Sequence, residues 1–186
     1  MKKSISLFFF PFAFLLFTFY LLGCSGDYAP MKTVEKVDLN RYLGKWYEIA
    51  RLPNKFQEGC VCTTAEYEMI DEETIRVTNT CREDSASGDI DDVEGKAFIV
   101  ENSGNAKLKV QFFWPFKGDY WIIELDKDYQ YALVGTPSRK YLWILARRPV
   151  LDEAIYNNLF DVAKSEGFDT SQMIVTEHPC KVGAQY

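Results

Sequence analysis

Eight short runs of strand-like composition, each set off by turn residues, constrain this chain more than any other feature. They cover residues 45–52, 62–70, 74–81, 93–101, 107–114, 120–126, 131–136 and 141–147. The turn signals between them include Asp71-Glu72-Glu73, residues 85–92, Ser103-Gly104-Asn105, residues 115–119, Lys127-Asp128 and Pro137-Ser138-Arg139. Connections this short pair each strand with its sequence neighbour, so the runs predict an antiparallel up-and-down sheet. Closure into an eight-stranded barrel would leave no strand edge unpaired.

Side-chain alternation tells the inside from the outside. In residues 107–114, Leu108, Val110, Phe112 and Trp114 share one face while Lys107, Lys109 and Gln111 share the other. Residues 141–147 are bulky on both faces, with Tyr141, Trp143, Leu145 and Arg147 against Leu142, Ile144 and Ala146, so something must cover that strand from outside. The cover is residues 152–166, where Ile155, Leu159 and Val162 recur at helical spacing and Gly167 ends the run. The expected class is therefore all-β, with one C-terminal α-helix packed outside the barrel. A helical turn capped by Asp38 and closed by Gly44 precedes the first strand, and a short strand over 173–177 follows the helix.

The chain opens with Met1-Lys2-Lys3, an apolar run over 7–22 broken by Pro11, and then Leu21-Leu22-Gly23-Cys24. This is a secretory leader ending in a lipoprotein cleavage box. Its sixteen apolar positions fall short of the roughly 20 that span a bilayer. Residues 1–23 are read as the signal peptide, Cys24 as the lipidated residue, 24–36 as a tether, 37–180 as the barrel domain and 181–186 as a tail. Ser25 stands where a retention signal for the inner membrane places Asp, so resemblance to Gram-negative lipoproteins implies the outer membrane. Removing Lys2 and Lys3 with the leader takes the formal charge from −6 to −8, which disfavours nucleic acid as a partner and leaves membrane contact to the lipid anchor.

With Cys24 lipidated, four cysteines remain in an exported chain, which predicts two disulfides. Cys60 and Cys62 lie two residues apart on one strand and cannot comfortably bridge each other, so each pairs with Cys81 or Cys180, in either arrangement. No metal and no cofactor are expected. Cys-Val-Cys lacks the two-residue spacer of a zinc knuckle, and Asp89, Asp91 and Asp92 lack the glycine and terminal glutamate of a calcium loop. His178, the sole histidine, stands beside Pro179 and Cys180, a poor place for a catalytic base or a haem ligand.

Gly44-Lys45-Trp46-Tyr47, just after the entry turn, resembles the Gly-x-Trp signature of the lipocalins. Asp126 and Tyr129 resemble the second signature of that family and Arg147 the third. Residues 41–51 and 141–147 are similar to bacterial lipocalins of the Blc type and to apolipoprotein D, and the likeness covers about residues 37–180. The resemblance implies that Gly44, Trp46, Asp126, Tyr129 and Arg147 are fold markers, with Trp46 plugging one end of the barrel beneath Arg147. It also implies a Cys62–Cys180 bridge, which leaves Cys60 with Cys81, although hairpin register alone allows Cys62 with Cys81.

A barrel of this kind holds one small ligand. Alternation gives the lining as Leu108, Val110, Phe112, Trp114, Tyr120, Ile122 and Trp143, with Phe98 or Ala97 according to the parity of the fourth strand. The resemblance implies a fatty acid or lysophospholipid as guest, stored or transported for envelope maintenance under stress by a non-enzymatic lipoprotein facing the periplasm. It also carries a homodimer, which no residue predicts. The alternatives are an envelope scaffold without ligand and, ranked below it, an enzymatic lipocalin.

Overall fold

A computed structural model describes residues 29–180; the leader, Cys24 and the tail 181–186 lie outside the described residues. A short helix α1 (Leu39–Tyr42) leads into β1 (Gly44–Arg51), β2 (Cys60–Met69), β3 (Thr74–Glu83), β4 (Ile90–Ile99), β5 (Lys107–Gln111), β6 (Gly118–Leu125), β7 (Tyr131–Gly135) and β8 (Leu142–Ala146). The long helix α2 (Glu153–Ser165) and a two-residue strand β9 (Ile174–Val175) follow. Each strand pairs antiparallel with the next, β8 pairs with β1, and β1 pairs with β2, closing an eight-stranded barrel with α2 outside.

Local chemistry sets the ends of these elements. Asp38 caps α1 by accepting from the Asn40 amide at 3.0 Å, and Gly44 takes φ +86° to turn the chain into β1. Asp152 caps α2 in the same way through the Ala154 amide at 2.9 Å. The inner face of the sheet encloses one core, built on Trp46, Tyr67, Leu108, Ile122 and Leu145. The outer face of β7, β8 and β1 carries a second, where Leu133, Leu142 and Ile144 meet Leu159 and Ala163 of α2. Bulk on both faces of β8 is thus matched by a core on each side.

The two ends of the barrel differ. Loops β1–β2, β3–β4, β5–β6 and β7–β8 surround one end, the mouth, while α1 and the remaining turns gather at the other. Residues 29–36 run down the outer wall between the two ends. Ala29 accepts a hydrogen bond from Arg139 Nη2 at the β7–β8 turn (2.8 Å). Met31 is buried in the outer core, Val34 N donates to Ile122 O at 3.1 Å, and Val37 N donates to Gly104 O at 2.8 Å at the closed end.

The seam between β1 and β2 carries the disulfides. These strands pair only over Gly44–Tyr47, and above that point the C-terminal segment fills the gap. β9 pairs with Ala50 and Arg51, and the amides of Thr176 and Cys62 bond to Ile49 O and Glu177 O respectively. A regular pleat would put Cys60 and Cys62 on one face. Instead β2 bulges between Val61 and Thr64, with Cys62 at φ +56°, which turns Cys62 toward the C-terminal segment. The bridges are Cys62–Cys180 and Cys60–Cys81.

One strand ends earlier than alternation predicts. β5 stops at Gln111, since its register places Val110 opposite Gly118 and the chain between them leaves the sheet. Pro115, which has no amide hydrogen for a ladder, sits in that loop. Trp114 is consequently no part of the barrel lining and stands in solvent, 87% exposed.

Candidate ligand-binding site

The closed end is sealed by backbone carbonyls converging on one side chain. Trp46 is fully buried, and its Nε1 donates to Tyr42 O at 2.8 Å. The Arg147 guanidinium lies 3.9 Å from the Trp46 ring centre and donates to the carbonyls of Arg41, Tyr42, Leu43 and Lys45 at 2.8–3.1 Å, and to Tyr129 O at 3.3 Å. The neighbouring turn is tied in as well. Asp126 Oδ2 accepts from the amides of Asp128 and Gln130, and the Tyr129 hydroxyl accepts from the Asp38 amide at 2.8 Å. Arg41 stacks 4.2 Å from the Tyr129 ring. Every one of these partners is used within the floor.

Directly above it lies a buried trio of phenols. The Tyr120 hydroxyl bonds to that of Tyr42 at 2.7 Å and to that of Tyr67 at 2.8 Å. Burial disfavours the phenolate, pushing Tyr67 up to about 12 and Tyr42 and Tyr120 well above the usual 10.0. The trio is therefore neutral at physiological pH. Leu108 and Ile122 are fully buried around it. Both belong, with Tyr120, to the packed lower layer and are not open to the mouth, although alternation placed them correctly on the inner face.

Nearer the mouth the inner face is less deeply buried. Val110, Phe112 and Trp143 pack against the inner core yet keep part of their surface exposed. Phe112 lies over Gly95, where a Cβ would come within 2.6 Å of the ring, so the missing side chain on β4 is what gives that ring its place. Ala97 faces inward, while Phe98 faces out beneath Lys117, whose Nζ is 3.8 Å from the ring centre.

A buried polar network ties the β1–β2 loop to this upper wall. Trp143 Nε1 donates to Gln57 Oε1 at 3.0 Å, and Gln57 Nε2 donates to Glu48 Oε2. Glu48 Oε1 accepts from Arg51 Nη1 at 2.8 Å and from the Thr176 hydroxyl, while Arg51 Nη2 donates to Gln57 O. With its charge paired and hydrogen-bonded, Glu48 can stay inside the protein. Outside the network, between the β1–β2 loop and the C-terminal segment, lies an open groove of about 630 Å³ lined in part by Lys55, Glu58, Val61 and Ile174.

Of the residues the sequence singles out, Val110, Phe112 and Trp143 each pack against the inner core beneath the mouth, Leu108, Tyr120 and Ile122 form the layer under them, and Trp114 stands apart on the rim. Sequence reasoning missed Tyr42, Tyr67 and Gln57. The alternation Ala65, Tyr67, Met69 in β2 carried the signal for Tyr67; nothing local marked Gln57, whose role depends on a loop folding back. His178 Nε2 lies 2.7 Å from Glu48 O, and the described residues hold no cluster of His, Cys, Asp and Glu suited to a metal.

Comparison with known proteins agrees with this architecture. Residues 37–178 match the family model for a lipocalin-like domain. The chain is 40% identical over 164 residues to a protein named outer membrane lipoprotein Blc from Vibrio cholerae, covering 88% of this chain and 95% of the relative. It is 39% identical over 163 residues to the protein of the same name from Escherichia coli K12, covering 87% and 92%. Bovine apolipoprotein D is 33% identical over 77% of this chain and 78% of its own length. Among solved structures, insecticyanin from the tobacco hornworm Manduca sexta superposes with a TM-score of 0.64 at 24% identity, covering 80% of this chain and 84% of that one. A barrel stoppered by Trp46 beneath Arg147, carried on a sequence this similar to those relatives, makes the chain a member of the lipocalin family.

Proposed function

We propose that this protein is an outer-membrane lipoprotein, anchored through Cys24 on the periplasmic side, whose barrel takes the hydrocarbon tail of a fatty acid or lysophospholipid. The tail enters the upper half of the barrel, against Val110, Phe112 and Trp143, and the polar head stays at the mouth. The observation that carries this reading is the gradient of burial along the inner face: fully buried around the Tyr120 hydroxyl, and only partly buried above it at Val110, Phe112 and Trp143, beside the polar network of Glu48, Arg51 and Gln57. Each methylene buried there contributes about 0.8 kcal/mol, so a tail needs no charged anchor. The names of the bacterial relatives support the outer-membrane placement.

The protein acts by holding lipid, for storage or transport during envelope maintenance, and not by catalysis. Its one histidine is engaged with the Glu48 carbonyl, which supports this reading. Titration of delipidated protein with a fluorescent fatty acid tests the reading. Saturable binding that native fatty acid displaces is expected, and its absence overturns the proposal. Sedimentation of the same preparation reports whether the homodimer of the family resemblance exists in solution.

A further inference from the structure

Every exposed phenylalanine and tryptophan among the described residues stands at the mouth. Phe56 (70% exposed) is on the β1–β2 loop, while Phe113 (71%), Trp114 (87%) and Phe116 (77%) are on the β5–β6 loop. These loops flank the β7–β8 turn, which carries Arg139 and Lys140, and each brings a lysine beside its aromatics, Lys55 and Lys117. Across the mouth from β7–β8 lies the β3–β4 loop, where residues 83–92 contain Glu83, Asp84, Asp89, Asp91 and Asp92 and no basic residue. The rim is split into an aromatic, basic side and an acidic side. Aromatic rings interleaved with Lys and Arg are the composition of surfaces that rest in a lipid headgroup layer.

The path of the N-terminal segment points the same way independently. Ala29 is held by Arg139 at the β7–β8 turn, in the middle of the aromatic and basic side. Five peptide links separate it from Cys24 and reach at most about 18 Å. The ten residues of β3 extend about 33 Å along the barrel wall. An anchor at Cys24 is therefore too short to run back down the barrel and hold the closed end against the membrane.

We propose that the barrel rests mouth-down on an anionic phospholipid bilayer, with Phe56, Phe113, Trp114 and Phe116 in the headgroup region and the acidic β3–β4 loop tilted into water. This rests on the reading of Cys24 as the lipid anchor. A guest then passes between leaflet and barrel without crossing bulk water. Of the segment read as a tether, residues 29–36 are laid along the barrel wall.

The test uses the full lipidated protein in vesicles of phosphatidylethanolamine and phosphatidylglycerol whose acyl chains carry bromine, a contact quencher of tryptophan. The difference between wild type and Trp114→Phe isolates the Trp114 emission from any quenching of Trp143 by lipid inside the barrel. Bromolipid is expected to quench that difference about twofold or more, and Phe113→Ser with Phe116→Ser to abolish most of the effect. Flotation of the same vesicles separates the two ways of failing. Wild type that does not float overturns the anchoring, and this placement with it. Wild type that floats while Trp114 is quenched only by aqueous iodide overturns the placement alone.

Discussion

The closed end and the mouth of this barrel are built from the same residue types to opposite effect. At the closed end Trp46 is fully buried, stacked under Arg147, and surrounded by carbonyls that each have a donor. At the mouth Trp114 is almost wholly exposed. Tyrosines near the floor join hydroxyls out of water, whereas Tyr141 at the rim stacks on Trp143 and tilts against the exposed Phe56. Aromatic content in itself says nothing about role. What separates structural from functional rings is whether the surrounding backbone and side chains complete their contacts.

Substitutions at the two ends should therefore fail differently. Trp46→Ala is expected to cost about 4 kcal/mol of stability in urea unfolding, from lost burial and an unfilled cavity, while the folded fraction still binds lipid. Removing the Cys62–Cys180 bridge with paired serines should cost about 3 kcal/mol, because it closes a loop of 118 residues and holds the C-terminal segment in the β1–β2 seam. Tyr120→Phe leaves the hydroxyls of Tyr42 and Tyr67 without a partner and should cost about 1–2 kcal/mol. At the mouth the order reverses: Phe112→Ala is expected to weaken fatty-acid binding about tenfold by fluorescence titration, with a smaller loss of stability. Phe113→Ser should leave stability within about 0.5 kcal/mol of wild type.

The phenol trio adds a pH signature to the same contrast. Unfolded tyrosines ionise near 10.0, while burial holds Tyr67 at about 12 and its two partners well above their ordinary value. Above pH 10 the unfolded chain thus gives up protons that the folded chain keeps. Stability from this source is fully present below pH 10 and is lost as the pH rises from there through about 12. Spectrophotometric titration of phenolate should show these three groups resisting ionisation until the protein unfolds, and in Tyr120→Phe the fall of stability with pH above 10 should be shallower, because one of the three linked protons is gone.

Much of this was legible in the residues. Strict alternation around Leu108, Val110 and Ile122 marked the inner face, and the double-sided bulk of Leu142 to Ala146 called for the cover that Leu159 and Ala163 supply. Alternation fails at Trp114 because it says nothing about where a strand stops, and β5 ends three residues earlier, at Gln111. It also cannot tell a lining residue from a floor residue, since Leu108 and Val110 share a face but lie at different depths. The bulge at Cys62 and the return of Gln57 to Trp143 depend on contacts between segments far apart in sequence, which no local pattern encodes.

Native mass spectrometry of the protein isolated from its own envelope tests the central claim most directly, that a barrel sealed at Trp46 accepts one hydrocarbon guest from its mouth. The account predicts a single non-covalent adduct of fatty-acid or lysophospholipid mass per barrel, lost on delipidation, restored by added lipid, and restored poorly in Phe112→Ala. A barrel that emerges without adduct and regains none when lipid is supplied would contradict it.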